Sequence, residues 1–350
     1  MCDAPSTPCV TDLLFAHEFD WPASHPHWSA SRCRSWRQDG DWPTSEPHLL
    51  RSGYKRKGVQ MRARPFWDVL QLFPNQTLWI HGDSVQVQLC SAALCSLMRN
   101  APVSQPLLTP RGRRPAWIES LETSTSYPFR TTLLANGARL LCSGMGPYEE
   151  GRIAKVLKHV DVAIINHGLH YHTSLDVANM LNSAFQLLKT WDRRSQHHVS
   201  LWREASVQHF VHGSYTPGAE IVEGQLTPGK PCRCHALNEL SNGTETLRAV
   251  LAFDPGVENR TNLNFFTAAL ERRLALQHGI KLVPFFNVTA PRHDMHNAHY
   301  CAYHYQKANP TDCCDCTHFC YTPLFWDTVF GSLYSAARRV LKRQGRWGWI

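Results

Sequence analysis

Two short segments far apart in the chain carry residue types that could act together on an ester. Gly82-Asp83-Ser84 follows an apolar run and opens a helical pattern, and Asp315-Cys316-Thr317-His318-Phe319 places a carboxylate three residues before an imidazole. In chain order these give Ser84, Asp315 and His318: nucleophile, orienting acid and base, the minimum set for covalent acyl transfer. A serine at a strand-to-helix turn lies at the carboxyl edge of an α/β sheet, beside the backbone N–H groups and positive dipole end of the helix. The segment is not a G-x-S-x-G elbow, because Val85 and Gln86 follow the serine. Taken alone, it also fits a plain helix cap by Asp83 or Ser84. A spacing of three puts Asp315 and His318 on one side of a turn or a first helical turn, where the carboxylate can hold the imidazole tautomer.

Three other segments hold candidates. Asn166-His167-Gly168 closes the most apolar strand pattern of the chain. A side-chain amide there is placed to donate into an oxyanion hole, worth roughly 3 kcal/mol when well aimed; a simple strand-ending turn is the alternative. The segments containing Arg203 and His209, and Arg292, Asp294 and His296, follow closely behind strand patterns. They are expected on the same rim as substrate-binding groups, or as hydrogen-bonded structural loops. Cys313, Cys314, Cys316, His318 and Cys320 form a dense Cys/His patch. Its spacing is too tight for a paired-cysteine zinc knuckle, so disulfides are expected and no metal. A bond from Cys232 or Cys234 to Cys316 or Cys320 would support that view.

The elements that must hold these residues follow from periodicity. Strands are expected at 76–81, 139–142, 161–166, 199–202 and 281–286, the last with a proline that suits an edge or a bend. Helices are expected at 85–99, 149–159, 175–190, 265–278 and 322–343, with 101–130 as Pro- and Arg-rich loop and 212–248 as a long polar insertion. Strands alternating with helices predict a three-layer α/β/α fold around a parallel sheet. Residues 1–55 have no clean period and read as an irregular, cysteine-containing lead-in tied by Cys2, Cys9 or Cys33; residues 56–350 form the main domain.

Of 350 residues, 43% are hydrophobic and 18% charged, which excludes a disordered chain. The net charge is +8 with 20 histidines besides, but the basic clusters at 111–114 and 338–346 are short and read as solvated surface, not as a nucleic-acid stripe. Thirteen cysteines, five of them between Cys301 and Cys320, accompany N-x-[ST] sequons at Asn75, Asn242, Asn259 and Asn287. That combination points to a lumenal or secreted, disulfide-bonded glycoprotein. No signal peptide or membrane-spanning run is visible, so an N-terminal signal or anchor is expected to be missing from this chain.

In motif order the chain resembles the PC-esterase group of the SGNH/GDSL hydrolases, and most of all the plant trichome birefringence-like proteins. Their pattern is G-D-S, N-x-G, R-x-x-S-P-x-H-F, R-x-D-x-H and D-C-x-H-W-C. Here it reads Gly82-Asp83-Ser84, Asn166-His167-Gly168, Arg203 to Phe210, Arg292 to His296, and Asp315 to Cys320, with Val207 in place of the proline and Phe319 in place of the tryptophan. The resemblance implies a flavodoxin-like SGNH fold. It also implies a Golgi-lumenal polysaccharide O-acetyltransferase working through an acetyl-serine, with Ser84, Asp315 and His318 as triad. The oxyanion would be held by Ser84 N–H and Asn166, with Gly144 as a further donor. No resident cofactor is expected: an acetyl donor is co-substrate and a polysaccharide or oligosaccharide is acceptor. No nucleic acid is implied, and a membrane only through the missing anchor. A carbohydrate acetylesterase, or a glycan-binding relative without catalysis, would share most of these features.

Overall fold

The computed structural model describes residues 63–100, 116–125, 129–133, 136–144, 147–169, 171, 173–209, 234–235, 263–290, 292–293, 296–297, 315–319 and 323–346. The lead-in at 1–55, and the 212–248 insertion apart from Cys234 and His235, lie outside them.

A six-stranded sheet forms the middle layer. Its strands are β1 (Thr77–Gly82), β2 (Arg130–Leu133), β3 (Arg139–Gly144), β4 (Val162–Asn166), β5 (Val199–Arg203) and β6 (Lys281–Val283), in the spatial order β2-β3-β1-β4-β5-β6. All neighbours are parallel except the edge strand β2, which runs antiparallel to β3. Without β2, the five parallel strands stand in the order second-first-third-fourth-fifth. That is the flavodoxin-like doubly wound arrangement, whose ligand crevice lies at the carboxyl ends of the first and third strands, here β1 and β4.

The central strands are buried along their length, as parallel strands covered on both faces must be. Alternate side chains feed two cores. Leu78, Ile80, Val162, Ile164 and Leu201 meet the helices α1 (Phe66–Gln71), α2 (Ser84–Asn100) and, at the end of the chain, Pro323–Arg343. Trp79, Ala163, Ile165 and Trp202 meet α3 (Ala116–Thr125), α4 (Glu150–Val156), α5 (Ser174–Asp192) and α6 (Leu263–His278). The molecule is therefore a three-layer α/β/α fold, as expected. A disulfide between Cys90 and Cys142, Cα atoms 6.2 Å apart, ties α2 to β3.

Local chemistry explains where the sequence expectation needs correcting. The last strand stops at Val283 instead of running to Phe286. Pro284 has no N–H to donate, and the next two, of Phe285 and Phe286, donate to the Glu204 carboxylate at 3.1 and 3.2 Å. A short helix, α7 (Phe286–Thr289), begins there. The stretch taken as loop at 101–130 contains α3, whose Ile118, Leu121 and Thr125 reach the core, and the start of β2. A two-stranded ribbon pairs β7 (His296–Asn297) with β8 (Asp315–Phe319), so the Asp315–His318 segment is a strand and not a helical turn. Its register slips between His296, opposite Phe319, and Asn297, opposite Asp315. The final helix, α8 (Pro323–Arg343), starts with proline at its first position, where the missing N–H costs nothing.

No helix among the described residues is long and apolar enough to cross a membrane. Of the two sequons within the described residues, Asn75 is exposed in a left-handed turn (φ 57°). Asn287 is half-buried, with its Oδ1 accepting a 2.8 Å bond from Arg272.

Candidate functional site

The carboxyl edge between β1 and β4 is built on close backbone approach. Gly82 ends β1 opposite both Gly144 and Asn166, with φ 154°. A Cβ at Gly82 would overlap the Asn166 carbonyl, so only glycine fits. Asp83 follows, and its N–H donates to that same carbonyl at 3.2 Å. The Asp83 carboxylate then accepts the Gln86 N–H at 3.0 Å, the bond of a helix cap to the third helical residue. Capping by Asp83 leaves the hydroxyl of Ser84, the first residue of α2, for other work. Ser84 Oγ lies 2.7 Å from His318 Nε2. The two residues that the sequence singled out are thus in hydrogen-bond contact, across 234 positions of chain.

His318 reaches Ser84 because β8 is fastened on several sides. Gln88, one helical turn beyond Ser84, accepts the Phe319 N–H at 3.1 Å and donates to the Phe319 carbonyl at 2.5 Å. Gln208 donates to Thr317 Oγ1 at 3.0 Å, and the His209 N–H donates to the Cys316 carbonyl at 3.1 Å. Cys316 is bonded to Cys234, Cα atoms 5.4 Å apart, which is one of the pairings the sequence suggested. That bond spends Cys316, and His318 Nε2 faces the serine. Asp315 occupies the start of β8, and its side chain lies outside the described residues.

Several predicted site residues have a different place. Asn166 is fully buried. Its Nδ2 donates to the Arg203 carbonyl at 2.6 Å and to Glu271 Oε1 at 3.2 Å, while Oδ1 accepts from Gly168 N–H and Arg203, each at 2.9 Å. With both amide hydrogens spent, and with the amide orientation fixed by those donors and acceptors, Asn166 braces the site floor and does not aim at an oxyanion. Arg203 is 1% exposed and does not reach substrate space. Its guanidinium binds Gln86 at 2.6 Å, the Glu204 carbonyl at 2.9 Å, Asn166, and the Asp83 carboxylate at 3.2 Å, and lies over the Phe285 ring at 4.6 Å. Burial lowers its pKa, opposed by Asp83 and Glu271. His209, fully buried, and His296, nearly so, also belong to the framework: His296 Nδ1 lies 2.9 Å from the His318 carbonyl and its Nε2 2.6 Å from His209 Nδ1. Arg292 is largely buried next to α7, its N–H donating to the Thr289 carbonyl. Asp294 lies outside the described residues. Gly144 sits across from Gly82 at the same edge, its Cα side closed by Val87.

Sequence reasoning missed the glutamines and the acid beneath them. Gln86 and Gln88 are buried in an otherwise apolar helix start, and that incongruity was a readable signal. Gln86 donates to the Ile164 carbonyl at 2.8 Å while accepting from Arg203, so it links β4 to β5 under the serine. Glu271 on α6 gave no signal in the sequence. It is fully buried and accepts from Trp202, Asn166 and the Ala205 N–H. Burial, with the nearby Glu204 carboxylate adding to it, pushes its carboxyl up to about 8, against the Ala205 and Trp202 N–H groups and Arg203, which favour the ionised form.

The arrangement offers a hydroxyl at a helix N-terminus, an imidazole in contact with it, and a rigid polar floor. Such a set can take a proton from serine and stabilise negative charge beside the first N–H groups of α2. No protein-family model matches this chain, and no curated protein matches it at a significant level.

Proposed function

We propose that the protein is an acyltransferase of the SGNH type that moves an acetyl group to a hydroxyl of a polysaccharide or oligosaccharide by way of an acetyl-Ser84. The observation that carries this reading is the 2.7 Å contact between Ser84 Oγ and His318 Nε2 at the carboxyl edge of the sheet. In the first step His318 takes the serine proton and Oγ attacks the acetyl carbonyl of the donor. The oxyanion is held by the Ser84 N–H at the start of α2, with the Gly144 backbone as a further donor. The tetrahedral intermediate collapses, breaking the donor's ester or thioester bond, and the leaving group collects the proton from His318. An acceptor sugar hydroxyl then gives its proton to His318, attacks the acetyl carbon and expels Ser84, which recovers the proton.

The resemblance to trichome birefringence-like proteins assigns Asp315 as the carboxylate that orients His318, the acceptor as a wall-type polysaccharide, and the compartment as the Golgi lumen. The Cys234–Cys316 and Cys90–Cys142 bonds favour an oxidising compartment. The donor is a co-substrate, and no resident cofactor takes part in the proposed steps. Intact-mass and peptide mass spectrometry after incubation with an activated acetyl ester tests the reading. An acetyl group on Ser84, absent from Ser84→Ala, and its discharge onto added oligosaccharide are expected. Discharge to water alone would make the protein an esterase. A folded protein with neither adduct nor turnover would sink the catalytic reading.

A further inference from the structure

Behind β8 a row of polar contacts runs from the backbone of His318 into the core. His296 Nδ1 lies 2.9 Å from the His318 carbonyl oxygen, His296 Nε2 lies 2.6 Å from His209 Nδ1, and His209 Nε2 lies 3.0 Å from the Ala290 carbonyl oxygen. Both rings are buried, His209 completely and His296 at 5% exposure.

The two ends of this row fix its protons. A carbonyl oxygen only accepts, so His296 Nδ1 and His209 Nε2 must each carry a hydrogen. A neutral imidazole has one N–H and one bare nitrogen. If both rings were neutral, the two bare nitrogens would face each other at 2.6 Å, lone pair against lone pair. One proton between them turns that repulsion into a short charge-assisted hydrogen bond. We infer that His209 and His296 hold three protons on their four ring nitrogens, as a singly charged imidazole–imidazolium pair that braces the His318 carbonyl.

A second added proton is disfavoured. His209 is held well below the ordinary histidine range by burial first and then by the adjacent His296, with His293 and His235 adding to the effect and only the Ala290 bond opposing it. Among the described residues, the charged or titratable side chains that shift His209 are all imidazoles. His293 lies on its ring side, at 6.2 Å between centroids, and His235 donates its backbone N–H to the His209 carbonyl at 2.8 Å. The His296 ring packs on Phe319, 4.3 Å between centroids, so apolar surface flanks the shared proton on that side.

This makes His209 and His296 positioning residues, a role that rests on the reading of His318 as the catalytic base. Loss of the shared proton at alkaline pH restores the lone-pair repulsion, pushes His296 away from His209, and loosens the one peptide that carries the base. Acylation of Ser84 then has an acid limb, where His318 itself is protonated, and an alkaline limb that belongs to the buried pair.

The test uses the whole chain labelled with 15N-histidine. A far-downfield ring N–H proton, slow to exchange and correlated with nitrogens of both rings, is expected, and it should vanish in His209→Gln and in His296→Gln alike. Its absence from folded wild type at every pH would overturn the inference, whether or not the variants fold. With an activated acetyl ester, wild type should show the alkaline limb of acylation and His296→Gln should lose it, because an amide can still donate to the His318 carbonyl but has no proton to release. An unchanged alkaline limb in that variant would refute the positioning role. A shared proton present in a wild type that never acylates would keep the charged pair and discard the acyl-transfer reading instead.

Discussion

Gln88 holds both backbone groups of Phe319, accepting its N–H and donating to its carbonyl as a neighbouring strand would. Because Ser84 lies one turn earlier on the same helix and His318 one residue earlier on the same strand, this clasp sets the distance between Ser84 and His318. Gln88→Leu keeps the size of the side chain and removes both bonds. It leaves two buried backbone groups unmatched, at about 1–3 kcal/mol each, and should lower the acylation rate of Ser84 by about 10- to 100-fold through misplacement of His318. Single-turnover acylation against thermal unfolding separates the two effects. A variant that loses stability yet acylates at the wild-type rate would contradict the role given to the clasp.

Arg203 separates a framework role from a binding role. Its guanidinium is fully enclosed and joins Asp83, Gln86 and Asn166. Removing it strands the Asp83 carboxylate, so Arg203→Met should destabilise the fold by roughly 3–5 kcal/mol, as breaking a buried pair does. Denaturant titration measures this directly. If Arg203→Met instead kept full stability and only raised KM for an acceptor, the residue would have to face substrate.

Stability should peak on the acid side of neutrality. Burial raises the Glu271 carboxyl to about 8 and, despite hydrogen bonds from Ser200, the Asp192 carboxyl to about 6. Both exceed their unfolded values, so the folded state binds more protons across those windows. Stability then falls as pH rises from about 4 to 6 for Asp192, and up to about 8 for Glu271. Burial lowers His81, which stays neutral when folded and takes a proton when unfolded, so stability also falls as pH drops below about 6.5. Chemical denaturation at pH 5.5, 6.5 and 8 should show the decline toward alkali. Glu271→Gln should be less stable throughout, because its amide nitrogen faces the Ala205 N–H, yet nearly flat between pH 6.5 and 8.

The Cys234–Cys316 bond closes a sequence separation of 82 residues, two positions before the base. Its loss in Cys316→Ser should cost about 2–4 kcal/mol and depress acylation further than the stability change alone explains. Reduction of the wild type with a mild thiol should reproduce the deficit. Full activity under reducing conditions, with the bond shown to be open, would remove the disulfide from the site.

Much of this was legible in advance. The short apolar runs before Gly82 and Asn166 are each followed by helical periods, so the parallel sheet could be read from them. The Ser84–His318 pairing followed from residue types and chain order. What could not be read depends on pairing at a distance. Asn166, Arg203 and His209 look like rim residues because they follow strands, but the buried Glu271, 105 positions after Asn166, draws the amide inward. A sequence shows that a polar residue stands at a strand's end; which way it turns depends on partners elsewhere in the chain. The strand character of Asp315–Phe319 was hidden likewise, since its pairing comes from β7 and from the Gln88 side chain.

The order in which the chain leaves the ribosome gives the 234-residue gap between Ser84 and His318 a further meaning. Ser84 emerges just after the first parallel strand, whereas His318 follows all six strands of the sheet. A nascent chain carries Ser84 without its partner imidazole until His318 is made. A product cut short between β6 and β8 keeps the sheet-forming strands and lacks His318. The contact between Ser84 and His318 therefore cannot form until all six strands of the sheet have been made.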